Sequence, residues 1–394
     1  MTMFAKRMEH VTGSAIRELF KLLGDPEIIS FGGGNPAKES FPVDTVRALC
    51  DELLAREGSV LLQYGATEGY GRYLDAYIGY LAQEKGICAQ RSNVLATTGS
   101  MQGIDLICKA FLDPGDAVLV ESPAFLGALQ TFNLSQAKLV PVPMDAEGVM
   151  TDALEELMRE WRPKLFYCIP TFQNPTGKTL GVERRKRVAE LAAKYDVIVA
   201  EDDPYCELRY RGEALPPIKA FDESDHVILL NSFSKTLSPG LRVGAAMGSA
   251  PIIRKLTICK QSADTHTANI TQAIAAEFML QGLMKPHLES IRPMYLERMN
   301  AMLDAAHRYF PRECALTNPD GGLFIWGEMP EGTDMLALFN RAVKERGVAF
   351  IPGEHFYCRE ELGKHTLRLN FSSEPVERIA RGMEALGGLL AECL

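Results

Sequence analysis

The residues best suited to chemistry stand just beyond apolar runs. In LLNSFSKTLSPGLRVG, Leu229 to Gly244, Lys235 sits between Ser234 and Thr236, and Arg242 follows a Pro-Gly turn. An amine that attacks carbonyls must be partly deprotonated, so it needs burial or cationic neighbours; Arg242 could serve as one. Ser232, Ser234 and Arg242 also form a set suited to phosphate, two hydroxyls and a forked cation. TTGSMQG offers a second anion site, because Gly99 and Ser100 open a helix whose free N–H groups point outward. TFQNPTGKTL supplies Asn174, with Pro175 and Gly177 fixing the turn. VIVAEDDPYCEL places Glu201, Asp202 and Asp203 where an apolar strand stops, with Tyr205 close behind. A carboxylate facing a closed site needs a cationic partner, and a protonated ring nitrogen would be one. Each piece alone also reads as an ordinary solvated turn.

Elements must bring these pieces together. NVLATTGS reads as a strand entering a turn, MQGIDLICKAFLDPGD as the following helix, and AVLVESPAF as the next strand. KLFYCIPTFQNPTG, the helical GVERRKRVAELAAKYD, VIVAEDDPY and HVILLNSFSK continue the alternation. Short runs of Val, Ile and Leu separated by amphipathic helices predict an α/β fold with a mostly parallel sheet covered on both faces. Ligands gather beyond the carboxyl ends of such strands, where every motif above lies. From about Thr267 to His307 the pattern turns into a long helical stretch, with an interruption expected near Pro286 and Pro293. CALTNPDGGLFIWGEM and HTLRLNFSS then resemble strands of a smaller α+β unit. We expect an N-terminal arm over 1–40 packed on the small unit, a large domain over 41–285 and a small domain over 286–394.

Composition excludes several classes. The 394 residues suffice for two domains and a large core. A net charge of −9, from 42 basic and 51 acidic side chains, argues against a nucleic-acid or anionic-membrane surface. The nine cysteines are scattered, without C-x-x-C, and read as reduced buried thiols of a cytoplasmic protein. MTMFAKRMEHVTG lacks the apolar core of a signal peptide, and no run reaches membrane-spanning length. The seven histidines form no metal-binding cluster, so metal chemistry is not expected.

Taken together, NPTG, EDDPY and SFSKTLSPGLRVG, in this order and spacing, resemble the fold type I pyridoxal-phosphate enzymes of the aspartate aminotransferase superfamily. The branch of 2-aminoadipate, kynurenine and broad-specificity aminotransferases is the nearest in pattern. The likeness runs from SAIREL and SFGGGNP to LRLNFS. It implies that Lys235 forms the Schiff base with pyridoxal 5'-phosphate and acts as the base at the substrate Cα. It further implies that Asp202, rather than Asp203, keeps the ring nitrogen protonated, while Asn174 and Tyr205 hydrogen-bond the phenolic oxygen. The phosphate would be held by Ser232, Ser234, Arg242, Ser100 and the N–H of Met101. Phe125 matches an aromatic that stacks on the ring; many relatives carry tyrosine there.

Arg368 resembles the arginine that forks onto the substrate α-carboxylate, with Asn174 alongside. Gly33 would bring backbone close to substrate, and Arg17 resembles an arm residue that contacts substrate side chains in some relatives. Tyr64 matches a tyrosine reaching the phosphate of the neighbouring subunit, which implies a homodimer with shared sites. The expected activity is transfer of an amino group from an L-amino acid (aromatic, 2-aminoadipate-like or aliphatic) to a 2-oxo acid such as 2-oxoglutarate, by two half-reactions. A β-lyase on the same scaffold, and an aminotransferase-like transcription regulator, are the alternatives. Such regulators carry an extra DNA-binding domain, whereas about thirty residues precede SFGGG here.

Overall fold

The short apolar runs become strands because β-branched and leucine side chains can cover both faces of a buried sheet. The computed structural model describes residues 3–8 and 27–393. The first nine strands in chain order are β1 (Ile29–Ser30), β2 (Val94–Thr97), β3 (Ala117–Ser122), β4 (Lys138–Asp145), β5 (Gly148–Val149), β6 (Leu165–Cys168), β7 (Ile198–Asp202), β8 (Val227–Ser232) and β9 (Gly244–Met247). Eight of them make the large sheet, in the order β2-β9-β8-β7-β6-β3-β4-β5. From β4 to β8 the neighbours are parallel, whereas β9 runs antiparallel to both β8 and β2, and β5 antiparallel to β4. The parallel register aligns strand ends, pairing Cys168 with Glu201 and Asp202 with Leu230. Polar residues that end these strands therefore share one rim.

Helices close the faces. The Ser100–Phe111 helix buries Gly103, Ile104, Leu106 and Ile107, the spacing of a single apolar stripe. Gly103 lets it approach β8, since a Cβ there would stand 2.6 Å from Leu230 Cδ2. That close approach brings the helix start to the same rim.

The second layer is built from β10 (Ala315–Leu316), β11 (Phe324–Glu328), β12 (Val348–Ala349), β13 (Ile351–Pro352) and β14 (Thr366–Asn370). β10, β11, β14 and β13 form an antiparallel sheet, and β12 pairs in parallel with β1. The segment around β1 is thus tied to this layer: Ser30 N–H donates to Glu374 at 2.9 Å, and Phe31 is fully buried. The expected helical stretch is divided differently. The break falls at 281–283, between helices Asn269–Leu280 and Met284–Tyr309, with Gly282 at φ 68°. Pro286 sits in the first turn of the later helix, where no N–H is needed, and Pro293 lies within it.

All nine cysteines are unpaired, but only Cys108 and Cys168 are buried; Cys88 and Cys393 are exposed. This corrects the expectation of uniformly buried thiols, since a small sulfur side chain is tolerated at helix and chain ends. Among the described residues no helix is long and apolar enough to cross a membrane.

Candidate active site

A cavity of about 500 Å³ opens where the carboxyl ends of β6, β7 and β8 face β14. Lys235 stands in it, three residues past β8, and its Nζ donates to the Gly34 carbonyl at 2.6 Å. Burial pulls the Lys235 pKa down to about 8, helped first by the Arg368 guanidinium and then by Arg242. Arg242 is the cationic neighbour named from sequence, and Arg368 joins it with the larger influence. A pKa near 8 leaves a useful fraction of neutral amine at neutral pH, as nucleophilic lysines require.

Asp202 ends β7 and is 1% exposed. Its Oδ2 accepts from the Tyr167 hydroxyl at 2.9 Å, and its Oδ1 has no partner among the described residues. Burial raises its pKa to about 7, against the Tyr167 hydrogen bond and the nearby Ser100 hydroxyl, which hold it down. The neighbouring acids lie off the cavity lining. Glu201 accepts from the N–H groups of Ile218 and Lys219, pinning a loop, while Asp203, whose Oδ1 is also without a partner among the described residues, is buried away from the cavity. Alternation along the strand separates them from Asp202.

Asn174 Nδ2 donates to the Tyr205 hydroxyl at 3.3 Å, and both residues are buried in the cavity wall. At the other end Ser232 Oγ donates to Ser234 Oγ at 2.9 Å, and Arg242 Nη1 donates to Ser234 Oγ at 3.3 Å. Arg242 Nη2 also donates to the Thr98 carbonyl at 3.0 Å. Gly99, at φ 78°, permits this, because a Cβ there would come within 2.7 Å of Arg242 Nη2. Ser100 and Met101 line the cavity at the start of their helix, with Phe125 beyond β3.

Arg368, in the middle of β14, donates from Nη1 to Asn174 Oδ1 at 2.9 Å and from Nη2 to the Gly32 carbonyl at 2.7 Å. Its Nε has no partner among the described residues, and burial lowers its pKa to about 10. The guanidinium lies 4.3 Å from the Phe324 ring centre and 5.0 Å from that of Phe356. Two aromatic faces thus orient the fork.

Two expected residues lie outside the cavity lining, and a third cannot be placed relative to it. Gly33 turns its carbonyl to Arg368 Nη2 at 3.1 Å, and it is Gly34 that faces the cavity. Tyr64 is 82% exposed, edge-on to His266. Arg17 falls outside the described residues. The sequence reading did not find Tyr167, Gly34, Phe324 or Phe356. Tyr167 and the phenylalanines carry no signal apart from ordinary core positions, and a run of three glycines does not say which one faces inward.

The arrangement offers an amine able to attack an aldehyde, a buried acid with a free oxygen for a ring cation, and separate anion sites at the two ends. The model of the family "Aminotransferase class I and II" matches residues 26–386. The chain is 40% identical over 394 residues to aromatic-amino-acid aminotransferase 1 of Thermococcus litoralis, covering 99% of this chain and 94% of the relative. The solved Pyrococcus horikoshii kynurenine aminotransferase, in complex with PMP, superposes with a TM-score of 0.95 at 40% identity, covering 99% and 97% of the two chains. The alpha-aminoadipate aminotransferase of Thermus thermophilus, complexed with N-(5'-phosphopyridoxyl)-L-leucine, gives a TM-score of 0.90 at 39% identity with the same coverage. With its family model covering most of its length, and with relatives of this kind, the chain belongs to the class I and II aminotransferases, with pyridoxal phosphate as cofactor and an amino acid and a 2-oxo acid as substrates.

Proposed function

We propose that Lys235 holds the aldehyde of pyridoxal phosphate and, once released by the incoming amine, moves the proton at the substrate Cα. The observation that carries this reading is the unpartnered Oδ1 of buried Asp202, in the wall of the cavity that also holds Lys235. Such an oxygen fits a ring N–H donor, which would restore the lost hydrogen bond and supply the counter-charge. When bound, the cofactor supplies an electron sink for charge developing at the substrate Cα. Asn174 and Tyr205 would meet the phenolic oxygen. Ser232, Ser234, Arg242, Ser100 and the Met101 N–H would hold the phosphate, and Phe125 would lie on the ring face.

In this reading Arg368 and Asn174 receive the substrate α-carboxylate, with the Gly33–Gly34 backbone beside it. The exposure of Tyr64, away from its own cavity, supports a homodimer in which it completes the partner's phosphate site. Unpaired cysteines fit the cytoplasm.

Among the described lining residues the cations are Lys235, Arg242 and Arg368, and each already has a task. Phe125, Leu126, Ile169 and Phe356 make much of the remaining wall apolar. Neutral aromatic or aliphatic amino acids are therefore the donors that the cavity fits best. The second carboxylate of 2-oxoglutarate, the acceptor we propose, would need a further cation, and Arg17 of the arm is the candidate. Initial rates with donor and acceptor both varied should give parallel reciprocal lines, and Arg17→Gln should raise KM for 2-oxoglutarate while sparing an aromatic donor. Intersecting lines would remove the two-step scheme. Equal effects of Arg17→Gln on the two substrates would remove the arm from acceptor recognition.

A further inference from the structure

Tyr167 lies on β6, in a strand buried at every position, opposite Ala200 of β7 and Val120 of β3. Its ring packs edge-on against Phe132 at 5.6 Å, and a phenylalanine would satisfy that contact equally well. The hydroxyl is what distinguishes it. A buried phenol needs a hydrogen-bond partner, and here the partner is Asp202 Oδ2 at 2.9 Å.

A carboxylate on a single free torsion rotates over a broad, two-fold profile. Anchoring one oxygen sets the plane and decides where the other points. We propose that Tyr167 is a positioning residue for the cofactor-facing acid: its hydroxyl fixes Asp202 Oδ2, presents Oδ1 to the cavity and favours the ionised carboxylate. This rests on the reading that Asp202 faces the ring nitrogen.

The surroundings make such a donor necessary. Glu121 of β3 is fully buried behind the site, where burial lifts its pKa to about 8 despite donors from Gln173 and the Ile169 N–H. Asp203 follows Asp202 just past the end of β7, and Tyr205 stands two residues further on. Neither acid helps Asp202 to ionise, because any charge on them opposes it. The Ser100 hydroxyl, at the helix start, is the other polar group nearby that favours the charged form. A dry site of this kind leaves Asp202 dependent on its donors.

The test compares holoenzymes carrying Tyr167→Phe, Tyr167→His, Asp202→Asn and Tyr167→Phe with Asp202→Asn. The readouts are steady-state kinetics and the pH midpoint of the long-wavelength absorbance of the lysine-bound cofactor. Weaker ionisation of Asp202 leaves less positive charge on the ring, so the protonated link at Lys235 becomes easier to keep and the midpoint moves up. We expect Tyr167→Phe to lower kcat about tenfold, the size of one lost hydrogen bond to a charged group, with donor KM within about twofold. Its midpoint should move in the direction of Asp202→Asn but less far, and the double variant should match Asp202→Asn alone. Tyr167→His, which returns an N–H donor, should recover part of the loss. The midpoint is read on the folded, cofactor-bearing fraction, so reduced yield does not hide it.

A wild-type midpoint in Tyr167→Phe beside a shifted one in Asp202→Asn overturns the inference and leaves the cofactor reading standing. Equal losses in the Phe and His variants, or lowered thermal stability alone, also overturn it. An unmoved midpoint in Asp202→Asn removes the cofactor reading itself.

Discussion

Lys85, at the end of the Gly71–Lys85 helix, and Lys235, beyond β8, are both drawn largely out of water, yet their amines are driven in opposite directions. Burial lowers both. Around Lys85 the neighbours outweigh it, and the pKa rises well above the usual lysine value. Cys206 and Tyr80 adjoin it but are themselves kept neutral by burial. The group able to hold the charge at neutral pH is Glu207, 2.7 Å away. Lys235 has no carboxylate within ion-pair distance among the described residues; a main-chain carbonyl and two guanidinium groups surround it instead. Burial lowers the amine most, and the sign of the neighbouring charge decides whether that effect survives.

The largest effect should come from exchanging the roles. Lys235→Ala should abolish the long-wavelength cofactor absorbance and reduce turnover by on the order of a thousandfold or more, while Lys85→Met keeps the absorbance. Residual turnover near wild type in Lys235→Ala would break the contrast outright.

A smaller effect is expected at the structural pair. Glu207→Gln leaves the Lys85 charge without its carboxylate and should cost about 3 kcal/mol in urea denaturation at neutral pH. The sign with pH follows from Glu207, whose pKa in the folded state is held below the ordinary glutamate value by Lys85, Tyr80 and Arg292 against burial. Its stabilisation is complete above the ordinary value and is lost as pH falls through the lower, folded one. The variant should lack that part of the acid slope, and an unchanged slope would make the pair energetically idle.

The finest test reads Lys235 directly. Recombination of the cofactor-free protein with pyridoxal phosphate requires neutral amine, so its rate should rise with pH through a midpoint near 8. Arg368→Met removes the larger cationic influence and should move that midpoint up by about one unit. A midpoint that stays put would leave burial as the whole cause.

These regions also differ in how far they can be read without coordinates. The Lys235 loop was legible because its chemistry is contiguous: Ser232, Ser234, Lys235 and Arg242 share one strand end, and parallel strands bring other ends to the same rim. Asp202 could be told from Asp203 by family likeness, but Glu201's task could not, because its partners at Ile218 and Lys219 lie beyond a loop. The Lys85–Glu207 pair joins residues 122 apart and has no local pattern. Phe324 and Phe356 looked like core because they are core; only the fold sets their faces against Arg368. The helix break at 281–283 was misplaced because proline is tolerated in a first turn, where it does not mark an interruption.

Two of the acceptors on the Arg368 fork are the carbonyls of Gly32 and Gly33, just past β1, the strand that pairs with β12. An acid arriving at that end of the fork would meet a cation already engaged, so capture would be a trade of partners and not the quenching of a bare charge. Trades of this kind keep the net grip modest, which would suit the proposed scheme, where one acid departs before another is greeted.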